Sequence, residues 1–290
     1  MRSLSKEQIQ AISDVVKLRK TKVSDNAKWR AIVQFAELHD VEINKKYIFF
    51  SAEHRQKLRQ SVIDQNKFDP MYDDFNDDRI GISVKTNNDK LAGIRPEDDF
   101  VLVKWLSIEV GGLALSRLSS LRMPICETLN FIKQQNITSV LVVENLDIFS
   151  HIDDFSLPLG ANPILVVYRG GGAHSSAGST SLLSNGSQAV KVIYFGDFDP
   201  EGLKIGLTMK NVSHFVFPEL AFLTSKTKKE LNEISFVDDY RKQHRATKFI
   251  SGQSLNNETV KHLNFIRQNE LSIKQQHMLA HKLPLILVRR

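Results

Sequence analysis

Cysteine is almost missing from this chain: Cys126 is the one thiol in 290 residues. A lone thiol cannot close an internal disulfide, so nothing points to a secreted, disulfide-stapled scaffold. Within RMPICETL it reads as a small buried core residue. Long apolar runs are missing too. Stretches such as Ile164–Tyr168 fall far below the ~18 residues that span a bilayer. The opening decapeptide MRSLSKEQIQ has no apolar core of the kind a secretory leader needs. The expectation is a cytoplasmic protein with no membrane partner. No GxSxG string occurs, and the Gly-rich segment YRGGGAHSS fits neither GxGxxG nor the P-loop pattern, so serine-hydrolase and nucleotide-binding readings lack support. His277 and His281 share a helix face, yet a third metal ligand is lacking, so packing histidines are expected there.

The remainder is ordinary globular composition, 41% hydrophobic and 25% charged. At ~100–200 residues per domain, this length suggests about two domains. The net charge is +6 and the isoelectric point about 9.2, a surplus that suits a polyanionic partner.

Apolar spacing predicts helices over 1–20, with Ser5 as cap, over Asn26–His39 and over Ala52–Gln65, with a short strand at Lys46–Phe50 between the last two. These suit a small winged-helix-like module. Residues 69–99 are polar and punctuated, and the expectation is a solvated linking loop, with Asp73, Asp74, Asp77 and Asp78 as solvated acids. From Phe100 the pattern changes. Phe100–Trp105, Ser139–Val143, Pro163–Tyr168 and Ala189–Phe195 read as strands, interleaved with helical stretches at Pro124–Gln134 and 203–215. Strands apolar on both sides predict a mostly parallel α/β sheet, with ligands at the strands' carboxyl ends. Gly170–Ser187 reads as a loop, and Lys226–Arg241 and Asn256–Leu283 as helices. The expected domains are 1–99, 100–218 and 219–290.

The segment VIYFGDFDPEGLKIG, residues 192–206, is the most informative. Asp197 and Asp199 are two apart, so extended backbone turns both to one side and Phe198 to the other. Asp199 stands at an N-cap position with Pro200 at the first helical residue. Paired carboxylates at a strand tip suit Mg²⁺, a hard cation that takes oxygen ligands. Glu144, ending the strand in SVLVVENLDIF, could join them as a ligand or as a general acid or base. Asp147 reads as a helix cap. Arg169 and His174, beside the successive glycines, could meet phosphate.

A strand ending in Glu, a strand with a Gly-rich turn, and a strand ending in DxDxxG resemble the Toprim pattern of topoisomerases, primases and small nucleases. VVENLDIF and YFGDFDPEGLKI are similar to the nuclease subunit of Wadjet-type plasmid-defence systems (JetD), and DPEGLKI also to the topoisomerase VI A subunit. TNNDKLAG, between Arg79 and Arg95, resembles the region preceding Toprim in the JetD group, and LSIKQQHML its terminal motif. Asp89 stands where that group has Glu, and Gln275–Gln276 where it has an acid.

The resemblance implies a Toprim α/β domain, a parallel sheet flanked by helices, with an N-terminal winged-helix-like module. It implies an endonuclease of an anti-plasmid or anti-phage system, dependent on Mg²⁺, with Mn²⁺ able to substitute. Glu144, Asp197 and Asp199 would be the catalytic and metal-binding carboxylates. Arg79, Lys90, Arg95, Arg169 and Lys204 would contact double-stranded DNA. The implied partners are an SMC-like ATPase and kleisin complex and a second copy of the chain. Two alternatives stay open: a topoisomerase VI A-like transesterase using a tyrosine, for which Tyr47 is the candidate in the N-terminal module, and a non-catalytic DNA-binding subunit.

Overall fold

Two units make up the chain, Met1–Pro96 and Glu97–Arg290. The computed structural model describes residues 4–93, 97–106, 109–110, 113–114, 120–160, 162–171, 174–186 and 190–290. In the first unit, α1 (Lys6–Lys17), β1 (Lys22–Ser24), α2 (Ala27–Phe35), β2 (Tyr47–Phe49) and α3 (Ala52–Asn66) follow in order. Ser5 caps α1 in a reciprocal box with Gln8, satisfying two backbone donors that a helix start leaves open. Ile9, Ile12, Val15 and Val16 then fall on one side and pack with Ile32, Leu58 and Val62. β1 and β2 pair antiparallel, Val23 opposite Ile48.

The stretch expected to be a linking loop is built into this unit. It holds α4 (Arg79–Lys85), capped by Asp78, and a 3₁₀ turn at Asp89–Leu91. Ile82 and Leu91 enter the same core. Thr86 Oγ1 and the Asn87 N–H both donate to the Asn66 carbonyl, tying the end of α4 to the end of α3. The acidic cluster is used locally: Asp74 and Asp77 pair with Lys85, and Asp73 accepts from the Asp69 N–H. The polar composition hid α4 because only one residue in it, Ile82, is buried.

The second unit runs through β3 (Phe100–Leu106), a small hairpin of β4 (Glu109–Val110) and β5 (Leu113–Ala114), β6 (Leu121–Pro124), α5 (Ile125–Gln134), β7 (Ser139–Val143), α6 (Leu146–Ser150), β8 (Ile164–Tyr168), α7 (Ala177–Asn185), β9 (Lys191–Phe195), α8 (Pro200–Thr208) and β10 (Val212–Pro218). It continues with α9 (Leu220–Thr224), α10 (Lys228–Ile234), α11 (Val237–Lys242), α12 (His244–Ser251), α13 (Asn257–Asn269), α14 (Gln275–Ala280) and β11 (Leu285–Arg289). Seven strands form one sheet in the order β11-β10-β9-β7-β8-β3-β6. Helices pack against it, α7 on β3, α8 on β10 and α13 on β11.

The sheet is mixed, which corrects the mostly parallel expectation. The four central strands are mutually parallel. β11, β3 and β6 join antiparallel at the margins. Apolar runs identify strands but carry no direction; direction follows from how each strand is connected. Three helical expectations also change. α8 stops at Thr208, and after left-handed Asn211 the run VSHFVFP becomes β10, as suits its valines and phenylalanines. The stretch 226–241 divides into α10 and α11, and 256–283 breaks at Glu270, which is also left-handed. The Gly170–Ser187 stretch contains α7. Residues beyond 219 belong to the same body: Leu263, Ile266, Ile273 and Val288 share its core, and β11 completes its sheet. Cys126 is exposed rather than buried, because it lies on the outer side of α5, opposite Thr128 and Ile132. Among the described residues no helix is long and apolar enough to cross a membrane.

Candidate active site

β7 and β9 are adjacent and parallel, with Val143 in register with Phe195. The residues that follow these two strands therefore emerge side by side, at the carboxyl edge of the sheet. Glu144 donates its N–H to the Phe195 carbonyl at 3.0 Å. Its Oε2 accepts from the Tyr194 hydroxyl at 2.6 Å and lies 3.4 Å from the Asp197 N–H. Gly196 leaves room for this pair: a Cβ would stand 2.5 Å from Glu144 Oε2 and 2.6 Å from the Tyr194 oxygen and would push them aside.

Asp199 caps α8 as its position implied, accepting from the Gly202 N–H through Oδ1 at 2.8 Å. Its Oδ2 accepts from Ser272 Oγ at 2.7 Å, Gln243 Nε2 at 2.8 Å and Lys274 Nζ at 3.1 Å. The residue is 1% exposed. Asp197 accepts from the Gln275 N–H at 2.9 Å on one oxygen and from Lys274 at 3.2 Å on the other. Phe198 turns away into the core.

The segment after α13 makes this arrangement. Once Glu270 ends the helix, Ile273 and Phe198 form a two-way backbone bridge. Ser272, Lys274 and Gln275 are thereby laid along the Asp197–Asp199 turn. Fully buried Gln275 also donates to the Phe195 carbonyl at 3.1 Å and accepts from the Asn145 N–H at 3.1 Å, joining the ends of β7 and β9.

The charges respond to this burial. Glu144 is pushed above the usual carboxylate range, first by burial and then by neighbouring Asp197, with Tyr194 and Arg169 pulling the other way. Asp197 is raised by burial, which outweighs the Gln275 N–H and Lys274. Burial would raise Asp199 as well, but Lys274, Gln243, Gly202 and Ser272 outweigh it and hold the group below its usual range. Burial opposes the charge on Lys274, yet Asp199 and Asp197 keep it raised. Opposite charges within reach favour the ionised forms, and desolvation disfavours them.

A cavity of about 340 Å³ opens at this edge, lined by Glu144, Asn145, Asp147, Tyr168, Arg169 and Asp197 among others. Arg169 follows β8, donating its N–H to the Val143 carbonyl, and its Nε is buried without a hydrogen-bond partner. His174 packs edge-on against Tyr168, ring centres 5.8 Å apart. Asn145, not Asp147, caps α6. Lys204 on α8 pairs with Glu201 at 2.7 Å. Arg79 and Lys90 lie in the first unit, Arg79 facing Asp89 at 3.9 Å. Arg95 lies outside the described residues.

Divalent-ion fit differs between the carboxylates. Among the described residues no three His, Cys, Asp or Glu side chains group as ligands. Asp199 meets four protein donors, three of them on Oδ2, which fills that oxygen. Glu144 and Asp197 both line the open cavity and repel one another, an arrangement that one hard cation would relieve. Tyr194, Ser272, Lys274 and Gln275 were not readable as site residues. The only pointer was the resemblance of LSIKQQHML to a terminal motif. For Gln243 the sequence held no signal.

No curated protein matches the chain. The family described as Domain of unknown function (DUF7281) matches residues 98–287, nearly the whole second unit and well over half of the chain. The protein that sets Glu144 beside an Asp197–Asp199 turn belongs to that family.

Proposed function

We propose that the second unit is a Toprim-type catalytic domain and the chain an endodeoxyribonuclease resembling the JetD subunit of Wadjet-type plasmid-defence systems. One observation carries the reading: Glu144 and Asp197 leave adjacent parallel strands into one open cavity, with Asp199 starting the next helix. Mg²⁺ or Mn²⁺ on Glu144 and Asp197 would supply Lewis acidity at a phosphate oxygen and a more acidic water.

The chain's own groups prepare that site. Tyr194 holds the Glu144 carboxylate in one orientation through a 2.6 Å hydrogen bond, ready to take the ion with Asp197. Arg169, which lines the same cavity, offers its charge to the phosphate. Asp199 ties the turn to the segment after α13, which holds Asp197 in place. The helices and the β1–β2 pair of the first unit support a winged-helix-like DNA-binding role. Double-stranded DNA as substrate, a homodimer cutting both strands, and an SMC-like ATPase and kleisin complex as partner follow from the same resemblance.

Supercoiled plasmid incubated with the purified chain and Mg²⁺ or Mn²⁺ tests this. Expected is linear or nicked product that disappears with EDTA and with Asp197→Ala. Metal-independent DNA binding, with no cleavage even when the ATPase complex is added, would favour the non-catalytic subunit and overturn the nuclease. A covalent protein–DNA adduct lost in a Tyr→Phe variant would favour the transesterase.

A further inference from the structure

Two carboxylates facing one another at a strand tip are commonly bridged by a cation. Here a side chain already bridges them. Lys274 Nζ lies 3.2 Å from Asp197 Oδ2 and 3.1 Å from Asp199 Oδ2, with Asp239 Oδ2 at 3.9 Å. It is not a swinging surface lysine. The Ile273–Phe198 bridge fixes the backbone on one side of it, and the Gln275 N–H bond to Asp197 fixes the other. Its side chain is 29% exposed, and the Asp199 side chain beneath it 1%.

We propose that Lys274 is the permanent cation of the Asp197–Asp199 pair, so that this site takes one divalent ion, on Glu144 and Asp197, and not two. The inference rests on the metal-dependent reading above. Its physical basis is space and charge. A divalent ion of the Mg²⁺ type needs oxygen ligands at about 2.0–2.1 Å in near-octahedral geometry. The wedge between the two Oδ2 atoms is filled by the ammonium group. Asp199 Oδ2 accepts two further donors, Ser272 and Gln243, which leaves it without a free lone pair. An ion entering beside the ammonium would also meet like charge at close range. The open side of Asp197 faces Glu144 and the cavity that Asp199 does not line.

The decisive measurement counts ions without DNA. The purified full-length chain is titrated with Mn²⁺, and free Mn²⁺ is followed by its electron paramagnetic resonance signal. One bound ion per chain is expected for the wild type and for Lys274→Arg, and two for Lys274→Met, which removes the charge but keeps the stem. Lys274→Gln is titrated alongside in case the methionine variant does not fold, and two ions are expected there as well. Asp197→Asn should lose the single wild-type ion. Two ions or none on the wild type, or an unchanged count of one on either neutral variant, would overturn the proposal. The plasmid assay decides the nuclease reading separately, so a wrong ion count and a wrong function give different results.

Discussion

Tyr194 lies on β9 and Glu144 directly follows the neighbouring β7, and the phenol donates to the carboxylate across 2.6 Å. Tyr194 is 1% exposed. Gly206 and Gly196 make room for its ring, since a Cβ on either would come within 2.6 Å of it. The bond fixes the orientation of a carboxylate that would otherwise rotate freely in the cavity.

Tyr194→Phe keeps the ring and removes the donor. Tyr194 is one of the groups pulling Glu144 down against burial, so its loss moves Glu144 further up. The acidic limb of the cleavage rate against pH should shift to higher pH. The maximum should fall about tenfold, equivalent to roughly 1.4 kcal/mol. An unchanged limb would show that Glu144 does not govern it.

Glu144→Gln should stabilise the metal-free protein. A carboxyl raised above its unfolded value contributes stability below that value and loses it as pH rises through the raised one. At neutral pH the charged, buried group therefore works against folding. In EDTA at pH 7 the glutamine variant should melt about 2–4 °C higher, and the difference should vanish near pH 4. A lower melting temperature at pH 7 would contradict the burial argument.

Asp199→Ala should do the reverse. Its lowered carboxyl contributes stability above the usual Asp range and loses it as pH falls through the depressed value. Removing it takes one of two close carboxylates from Lys274 and leaves Gln243, Ser272 and the Gly202 N–H without this acceptor. Breaking a buried pair costs about 3–5 kcal/mol. Urea unfolding at pH 7 reads this directly, and a loss under about 1 kcal/mol would mean the cluster is not cooperative.

Arg169→Ala should lower kcat/KM by about 100-fold, the scale of one lost charged donor to the reacting group, without changing the Mn²⁺ count. Arg169→Lys should recover part of that, since charge returns without the planar fork. A variant with unaltered kinetics would remove Arg169 from the phosphate.

Local chemistry made much of this molecule readable from the chain. Ser139–Val143 is a strand over the expected span because, after Ser139, four consecutive apolar residues, three of them valines, favour extended backbone. The capping roles of Ser5 and Asp199 followed from short-range hydrogen bonding that needs no tertiary partner. The margins of the sheet were not readable, since β3 and β11 take their direction from chain connections. Nor was α4, whose burial depends on contacts with the end of α3.

The sequence by itself determined which carboxylates stand at strand tips. Periodicity ends β7 at Val143 and β9 at Phe195, and the residues that follow are Glu144, Gly196 and Asp197. Tertiary structure alone decided what those carboxylates face. Lys274 lies 75 residues from Asp199, and Gln275 lies 78 from Asp197. A left-handed residue at Glu270 turns what reads as one long helix into two, with an extended segment between them. Helical periodicity is a local property and cannot register that break. Burial against Phe198 does, because Ile273 is covered only when the segment lies along the Asp197–Asp199 turn.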